Sequence, residues 1–523
     1  MRGEVKQAVG LRVACMAVAL ATGALLASCG GATNSNGPDS PPQAAAQACS
    51  PNNPFRGDAT APTTVGSLTI EKNWLRNYVD NSYLWFTEVP NVNPSALNYS
   101  DEGDVYTSLD NYFNALLTNA TTPSGAPKDQ FSFTYPTAAW NALINSGSSV
   151  GYGIEWHFGS NNPPRNIRVA FVHANSPASA AGVLRGDTLV QADGVSADAI
   201  TPSGIDTLNN ALFPAAAGNH TFQFSRGGIT QPDLTLAAGN VTLTPVQHQV
   251  LNVSGQNVGY LLFNDHVLTA EEPLIDAFTD FQGAGVTDLV LDLRYNGGGY
   301  LYIASQVAYM IAGSSRTNGQ VFERTQFNSK RTAENADTEF IDIACVPDPN
   351  TFLCSQSGNL PTLNLARVYV LVSGSTCSAS EAIVNGLRGV DVDVRLIGDT
   401  TCGKPYGFFG QDNCGVTYFP IEFQGVNAKG FGDYADGFVP ADNNNGSNVL
   451  GCDANDDLDH ALGDPAEGQL AQALFHRSSG SACLAVSQNS SRQSTLSLRA
   501  SKAPASVKKP VALTNRNARK PLR

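Results

Sequence analysis

The chain has 523 residues, 42% hydrophobic and 15% charged, with 49 glycines and 29 prolines. At roughly 100–200 residues per domain this predicts about three domains, and such turn-rich composition excludes a helical bundle or coiled coil. The 45 acids against 31 lysines and arginines give a net charge of −14. That balance argues against nucleic acid as a partner, because phosphate binding needs a concentrated basic face.

In chain order, the first element expected is an export signal over 1–28. Arg2, Lys6 and Arg12 precede an uncharged, mostly apolar run at 13–26. That run is shorter than the roughly 20 residues a spanning helix needs. Leu26-Ala27-Ser28-Cys29-Gly30 resembles a bacterial lipobox, in which the cysteine is lipidated and becomes the first mature residue. The resemblance implies a cell-envelope protein, attached to the membrane through lipid on Cys29 alone. Gly30 fits sorting to the outer membrane, facing periplasm or exterior. In that oxidising compartment Cys49, Cys345, Cys354, Cys377, Cys402, Cys414, Cys452 and Cys483 read as disulfide partners, since none has zinc-ligand spacing. Cys345–Cys354 closes the shortest loop, while Cys377–Cys402 and Cys402–Cys414 compete for one sulfur.

Residues 29–65, rich in Gly, Ala, Ser, Asn and Pro, predict a flexible tether. Residues 66–146 predict a small helical domain, with Trp74, Leu75, Tyr78 and Val79 at helical spacing and its aromatics as its core. From 147 to 239 short strands and turns follow. Strands are expected at 152–156, 168–172 and 188–192, with a Pro-started helix after Ser176 and an Asp193-Gly194 hairpin turn. The block SPASAAGVLRGDTLVQADG resembles a PDZ domain, and Tyr152-Gly153-Ile154 its carboxylate-binding loop. Such a loop aims N–H groups at a peptide's terminal carboxylate while the peptide extends the sheet. A spacer of the same shape with an unused groove is the alternative.

Residues 240–483 alternate strand and helix, the pattern of a layered α/β domain. Strands are expected at 258–263, 286–293, 368–372 and 394–397, and helices at 272–281, 300–312 and 381–388. Residues 315–366 show fewer signals and read as a surface excursion. Residues 484–523, with nine Lys or Arg and no acid, predict a basic disordered tail.

Three segments place polar groups where strands end. Asp292-Leu293-Arg294-Tyr295-Asn296-Gly297-Gly298-Gly299 joins a strand to a helix through bare backbone, suited to an oxyanion, to phosphate or merely to a turn. Phosphate would need Lys-Ser/Thr next, but Tyr300-Leu301 follow. In Gly374-Ser375-Thr376-Cys377-Ser378-Ala379-Ser380-Glu381, Ser378 is either a helix cap paired with Glu381 or a nucleophile. Lys404, after Gly398-Asp399-Thr400-Thr401-Cys402-Gly403, reads alone as a solvated surface group.

Together, DLRYNGGG, STCSASE and GDTTCGK resemble, in that order, the C-terminal processing (tail-specific) serine peptidases, over roughly 66–480. The resemblance implies a multi-domain α/β protein: a helical N-terminal domain like that of bacterial lipoprotein members, a PDZ domain and a ClpP/crotonase-like catalytic domain. It also implies Ser378 as nucleophile, Lys404 as its base, and backbone N–H groups of Gly298 and Ala379 as the oxyanion hole. The implied partners are polypeptide substrates, with no metal and no cofactor. A serine hydroxyl needs such a base, and a lysine serves only when burial lowers its pKa from about 10.4 to about 7–8. Phe408 and Phe409 are the expected apolar walls. Many family members carry Gln four residues after the Lys; Phe408 stands there, leaving Gln411 and Asp391 as candidate orienting groups. Two other readings remain: a catalytically idle PDZ-bearing scaffold, and a fold binding a small hydrophobic ligand in a deep pocket.

Overall fold

A computed structural model describes residues 46–160, 162–347 and 354–484. The expected export signal, Cys29 and the basic tail from 485 onward lie outside the described residues.

The strands of the α/β part form a seven-stranded sheet in the order 246–253, 256–263, 288–292, 367–372, 393–398, 448–453 and 439–441. Only the first pair is antiparallel. Parallel strands must be covered on both faces, which explains their near-continuous apolar runs. Alternate residues divide between the two sides. Leu261, Phe263, Leu289, Leu291, Val370 and Leu396 face the helices Glu271–Gly283, Leu301–Ala312 and Ala379–Gly389. Tyr260, Leu262, Val290, Leu371 and Ile397 pack with Leu470 and Ala473 of helix Gly468–Ser479. Full burial of each such side chain contributes about 1.5–3 kcal/mol.

The expected strands and helices of this part all occur, with ends shifted by at most two residues. The described residues of 315–366 hold more strands than expected. Strand Val321–Phe327 is central in a four-stranded sheet between 336–339 and 423–426, with 406–407 at the far edge. One of its partners, 423–426, is distant in sequence.

Residues 148–242 form an antiparallel sheet in the order 148–151, 234–242, 218–226, 188–192, 167–172 and 154–158, with short strands 195–196 and 229–230 alongside. Helix Pro202–Leu212 packs Ile205, Leu208 and Leu212 into its core. Asp193 and Gly194 take φ of +49° and +74°, as a hairpin turn of that sequence requires. The unit docks on the seven-stranded sheet through charge. Arg185 donates to Asp456 at 2.6 Å, and Arg294 pairs with Asp456 at 2.9 Å, with Asp292 at 3.0 Å and with both Glu467 oxygens. Tyr295 donates its hydroxyl to the same Asp456.

Two expectations change at the N-terminal end. The tether predicted over 29–65 does not extend through 46–65: Ala48–Cys49 pairs with Thr64–Val65, and Cys49 is bonded to Cys414. A disulfide partner 365 residues away carries no compositional signal. The aromatics of 66–146 do not form a core of their own. Val79, Tyr83, Phe113, Phe131 and Phe133 share one cluster with Phe408, Tyr418, Phe419 and Ile421. Strand Phe133–Pro136 completes a sheet with 411–413 and 416–419. The remaining disulfides are Cys345–Cys354, as expected, Cys377–Cys402 and Cys452–Cys483.

Candidate active site

The three polar segments meet at the carboxyl ends of neighbouring strands. The glycine loop follows strand Asp288–Asp292, and Gly298 takes φ +100°. A Cβ there would lie 2.8 Å from both the Cys377 carbonyl oxygen and the Ser378 Cβ, so only glycine allows the two loops to touch. Asn296 holds them together. Its carbonyl accepts the Cys377 N–H at 3.1 Å and the Ser380 hydroxyl at 3.0 Å.

Ser378 caps helix Ala379–Gly389 with φ +56° and ψ −116°. An L-residue there stores on the order of 1–3 kcal/mol of strain, and a serine so held projects from a sharp strand-to-helix corner. In the sequence, STCSASE marked this corner through its resemblance, and Ser378 alone read equally as a cap. Its restraint is Glu381, fully buried and accepting four hydrogen bonds from two loops. Oε2 accepts Ser378 N–H at 3.0 Å and Lys404 N–H at 2.8 Å, and Oε1 accepts Gly403 N–H at 2.9 Å and Thr401 Oγ1 at 2.5 Å. Burial raises its carboxyl to about 6, and the four donors act against that rise. The sequence offered Glu381 only as a capping partner; its second loop is non-local. The Cys377–Cys402 disulfide joins the same two loops. Cys377, Cys402 and Glu381 cluster closely enough for a metal, but the two sulfurs are spent on each other.

Lys404 is 1% exposed, which corrects its solitary reading as a surface group. Its Nζ lies 4.5 Å from the Phe408 ring centre and 5.4 Å from that of Phe131. Desolvation lowers its pKa from 10.5 to about 7, against the smaller opposing pull of Asp129 and Glu381. Phe408 thus forms the expected wall, whereas Phe409 lines another pocket. Phe131 and Asp129, both from the helical unit, were not anticipated. Asp129 is fixed by the Tyr83 hydroxyl at 2.7 Å and the Ser132 hydroxyl at 2.6 Å. Ser378 and Lys404 line one cavity of ≈ 20 Å³, with Leu301, Ala379, Ala382 and Phe423.

Three candidates sit differently from expectation. Asp391 is at the surface, paired with Lys429. Gln411 donates to the Asp412 carbonyl at 3.2 Å and lines a separate ≈ 360 Å³ pocket with Tyr78, Phe327 and Arg331. The structure therefore places neither as an orienting group in the Ser378–Lys404 cavity: the first follows a helix end that turns outward, and the second is carried off by strand Gln411–Asn413. Gly298 reaches the Ser378 loop, yet its N–H donates to Asn296 Oδ1 at 2.9 Å. The same oxygen meets His266 Nδ1 at 3.0 Å. Ala379 opens the helix, where an N–H lacks an intrahelical partner.

In the antiparallel unit, Tyr152 is buried with its hydroxyl on the Ala211 carbonyl at 2.9 Å. Gly153 takes φ +79°, where a Cβ would overlap Ser176. Ile154 begins strand Ile154–Phe158, the terminal strand of its sheet.

Residues 257–407 match the model of peptidase family S41. The carboxyl-terminal-processing protease of Picosynechococcus sp. is 26% identical over 271 residues, 50% of this chain and 56% of its own length. The chloroplastic C-terminal processing peptidase of Tetradesmus obliquus is 26% identical over 277 residues, 50% of this chain and 52% of its own length. The chain thus spans about half the length of these curated relatives. A crystal structure from Bacteroides fragilis described as an S41 protease shares the fold, with TM-score 0.57 and 23% identity over 78% of this chain and 98% of that one.

Proposed function

We propose that this chain, which resembles the C-terminal processing serine peptidases and carries the family S41 match in residues 257–407, is a serine-type endopeptidase acting through a Ser378–Lys404 dyad. The observation that carries the reading is the environment of Lys404: buried, flanked by two aromatic rings, lowered to about 7 and sharing a cavity with Ser378. A neutral amine there accepts the Ser378 proton as Oγ attacks a peptide carbonyl. The resulting ammonium returns that proton to the leaving amine, leaving an acyl-enzyme on Ser378. Water activated by the same amine then releases the acid.

Negative charge on the attacked oxygen is met by the Ala379 N–H at the helix start, and by the Gly298 N–H once it leaves Asn296 Oδ1. Residues 147–239 act as a PDZ domain that recruits or gates polypeptides, with Tyr152, Gly153 and Ile154 as the carboxylate loop and strand Ile154–Phe158 as the open edge. A lipid on Cys29 would hold the enzyme at the envelope, with the outer membrane as its place.

The engaged Gly298 N–H favours one other reading, a catalytically idle PDZ-bearing scaffold. Incubation of the protein and its Ser378→Ala variant with an unfolded polypeptide separates the two. Cleavage by the unaltered protein alone is the expected result; cleavage by both, or by neither, contradicts the peptidase.

A further inference from the structure

The cavity shared by Ser378 and Lys404 has a second polar wall that the cleavage chemistry leaves unused. Glu323, on strand Val321–Phe327, is 6% exposed and lines that cavity. Its strand is irregular at this point, with the register shifting between Val321 and Glu323. The neighbouring strand Phe423–Val426 makes room for it, because a Cβ on Gly425 would overlap the Glu323 carboxyl. Among the described residues no hydrogen bond or ion pair reaches that carboxyl, and burial alone raises it to about 8. Tyr434 lines the same cavity, 2% exposed. Its phenol senses the charges of Glu323 and Glu381. The adjacent Arg324 turns away, paired with Asp337 at 2.6 Å.

A carboxyl with no partner in the protein is open to one supplied by a ligand. At neutral pH a carboxyl so raised carries its proton, and offers a donor and an acceptor together. Leu301, Ala382 and Phe423 add apolar walls, Tyr406 lines the cavity beside them, and the space is narrow, ≈ 20 Å³. A hydroxyl on a short side chain suits such a wall. Resting on the peptidase reading above, we propose that Glu323 is a specificity-determining residue that admits serine or threonine, over alanine or valine, as the substrate residue whose carbonyl Ser378 attacks.

The test uses the full chain and four peptides that differ only at that residue: Ser, Ala, Thr and Val. Competitive kcat/KM should favour Thr over Val, and Ser over Ala, by about tenfold or more, since a site built around a polar group rejects partners that leave it unpaired. Glu323→Gln should retain the preference, and Glu323→Leu should shift the ratio toward Val. If Glu323→Leu fails to fold, Gly425→Ala, which displaces the carboxyl, carries the same expectation. Equal cleavage of Thr and Val peptides, an unchanged ratio in the variants, or preference for a lysine peptide overturns this inference while leaving the peptidase standing. Absence of any Ser378-dependent cleavage overturns both.

Discussion

Lys404 loses its hydration to the rings of Phe131 and Phe408, and on the proposed dyad reading that loss sets the pH at which it would accept a proton. Replacing Phe408 by Asn would readmit polarity and stabilise the ammonium. The expected result is an acid limb of kcat/KM that moves upward from about 7, measured by steady-state rates across pH. The same burial has a stability consequence. With a folded pKa of about 7 below an unfolded value of 10.5, the unfolded state binds the extra proton. Lys404 therefore weakens the fold fully below pH 7, and the penalty fades as pH rises to 10.5. At 1.36 kcal/mol per unit the penalty is at most on the order of 5 kcal/mol. Lys404→Met should accordingly be more stable than the unaltered chain at pH 6 and no more stable at pH 11, read by denaturant unfolding. Glu381 permits a further test. Each of its oxygens accepts two donors, so Glu381→Gln must turn its NH₂ toward two N–H or O–H groups whichever way the amide flips. At about 1–3 kcal/mol for each unsatisfied group, the variant should lose several kcal/mol and most Ser378 reactivity, checked by melting and by a serine-directed probe.

At the level of elements, the glycine loop, the Ser378 corner and the Lys404 loop are each placed by a strand of one parallel sheet. Those strands were legible because doubly buried strands read as unbroken apolar runs, as 288–292 and 367–372 do. The chemistry at their ends was legible only in combination, since Ser378 alone is a helix cap and Lys404 alone a surface amine. What could not be read was every contact made by non-local pairing: strand Val321–Phe327 with Glu323, the second loop held by Glu381, and Phe131 over Lys404. Local patterns report periodicity and turns, and carry nothing about which distant face an element will meet. The docking of 148–242 belongs to this scale too. Asp456 serves Arg185, Arg294 and Tyr295 at once, and these attractions hold its carboxyl well below the usual range. Asp456→Ala takes from Arg185 its carboxylate partner, while Arg294 keeps Asp292 and Glu467, and should cost about 3–5 kcal/mol, as hydrogen exchange or thermal melting would show.

Over the whole molecule, the surroundings of Lys404, the proposed base, are completed across unit boundaries. The helical unit lends Asp129 and Phe131, and its core is continuous with Phe408, Tyr418 and Phe419. A chain deleted through residue 146 would expose that aromatic face and leave Cys414 without Cys49. It should be recovered as insoluble material, whereas an independently folding unit would leave a soluble remainder. The surroundings of Ser378 and Lys404 thus draw on residues that arrive from three separate parts of the sequence, and Glu381 and the Cys377–Cys402 disulfide join their two loops. The rate at which a serine-directed acylating probe labels Ser378, followed across pH, reads the state of the base itself. Labelling should rise through a single titration near 7 and vanish in Lys404→Ala. A limb near the pKa of free lysine, or labelling that survives in Lys404→Ala, would contradict a neutral Lys404 as the base for Ser378.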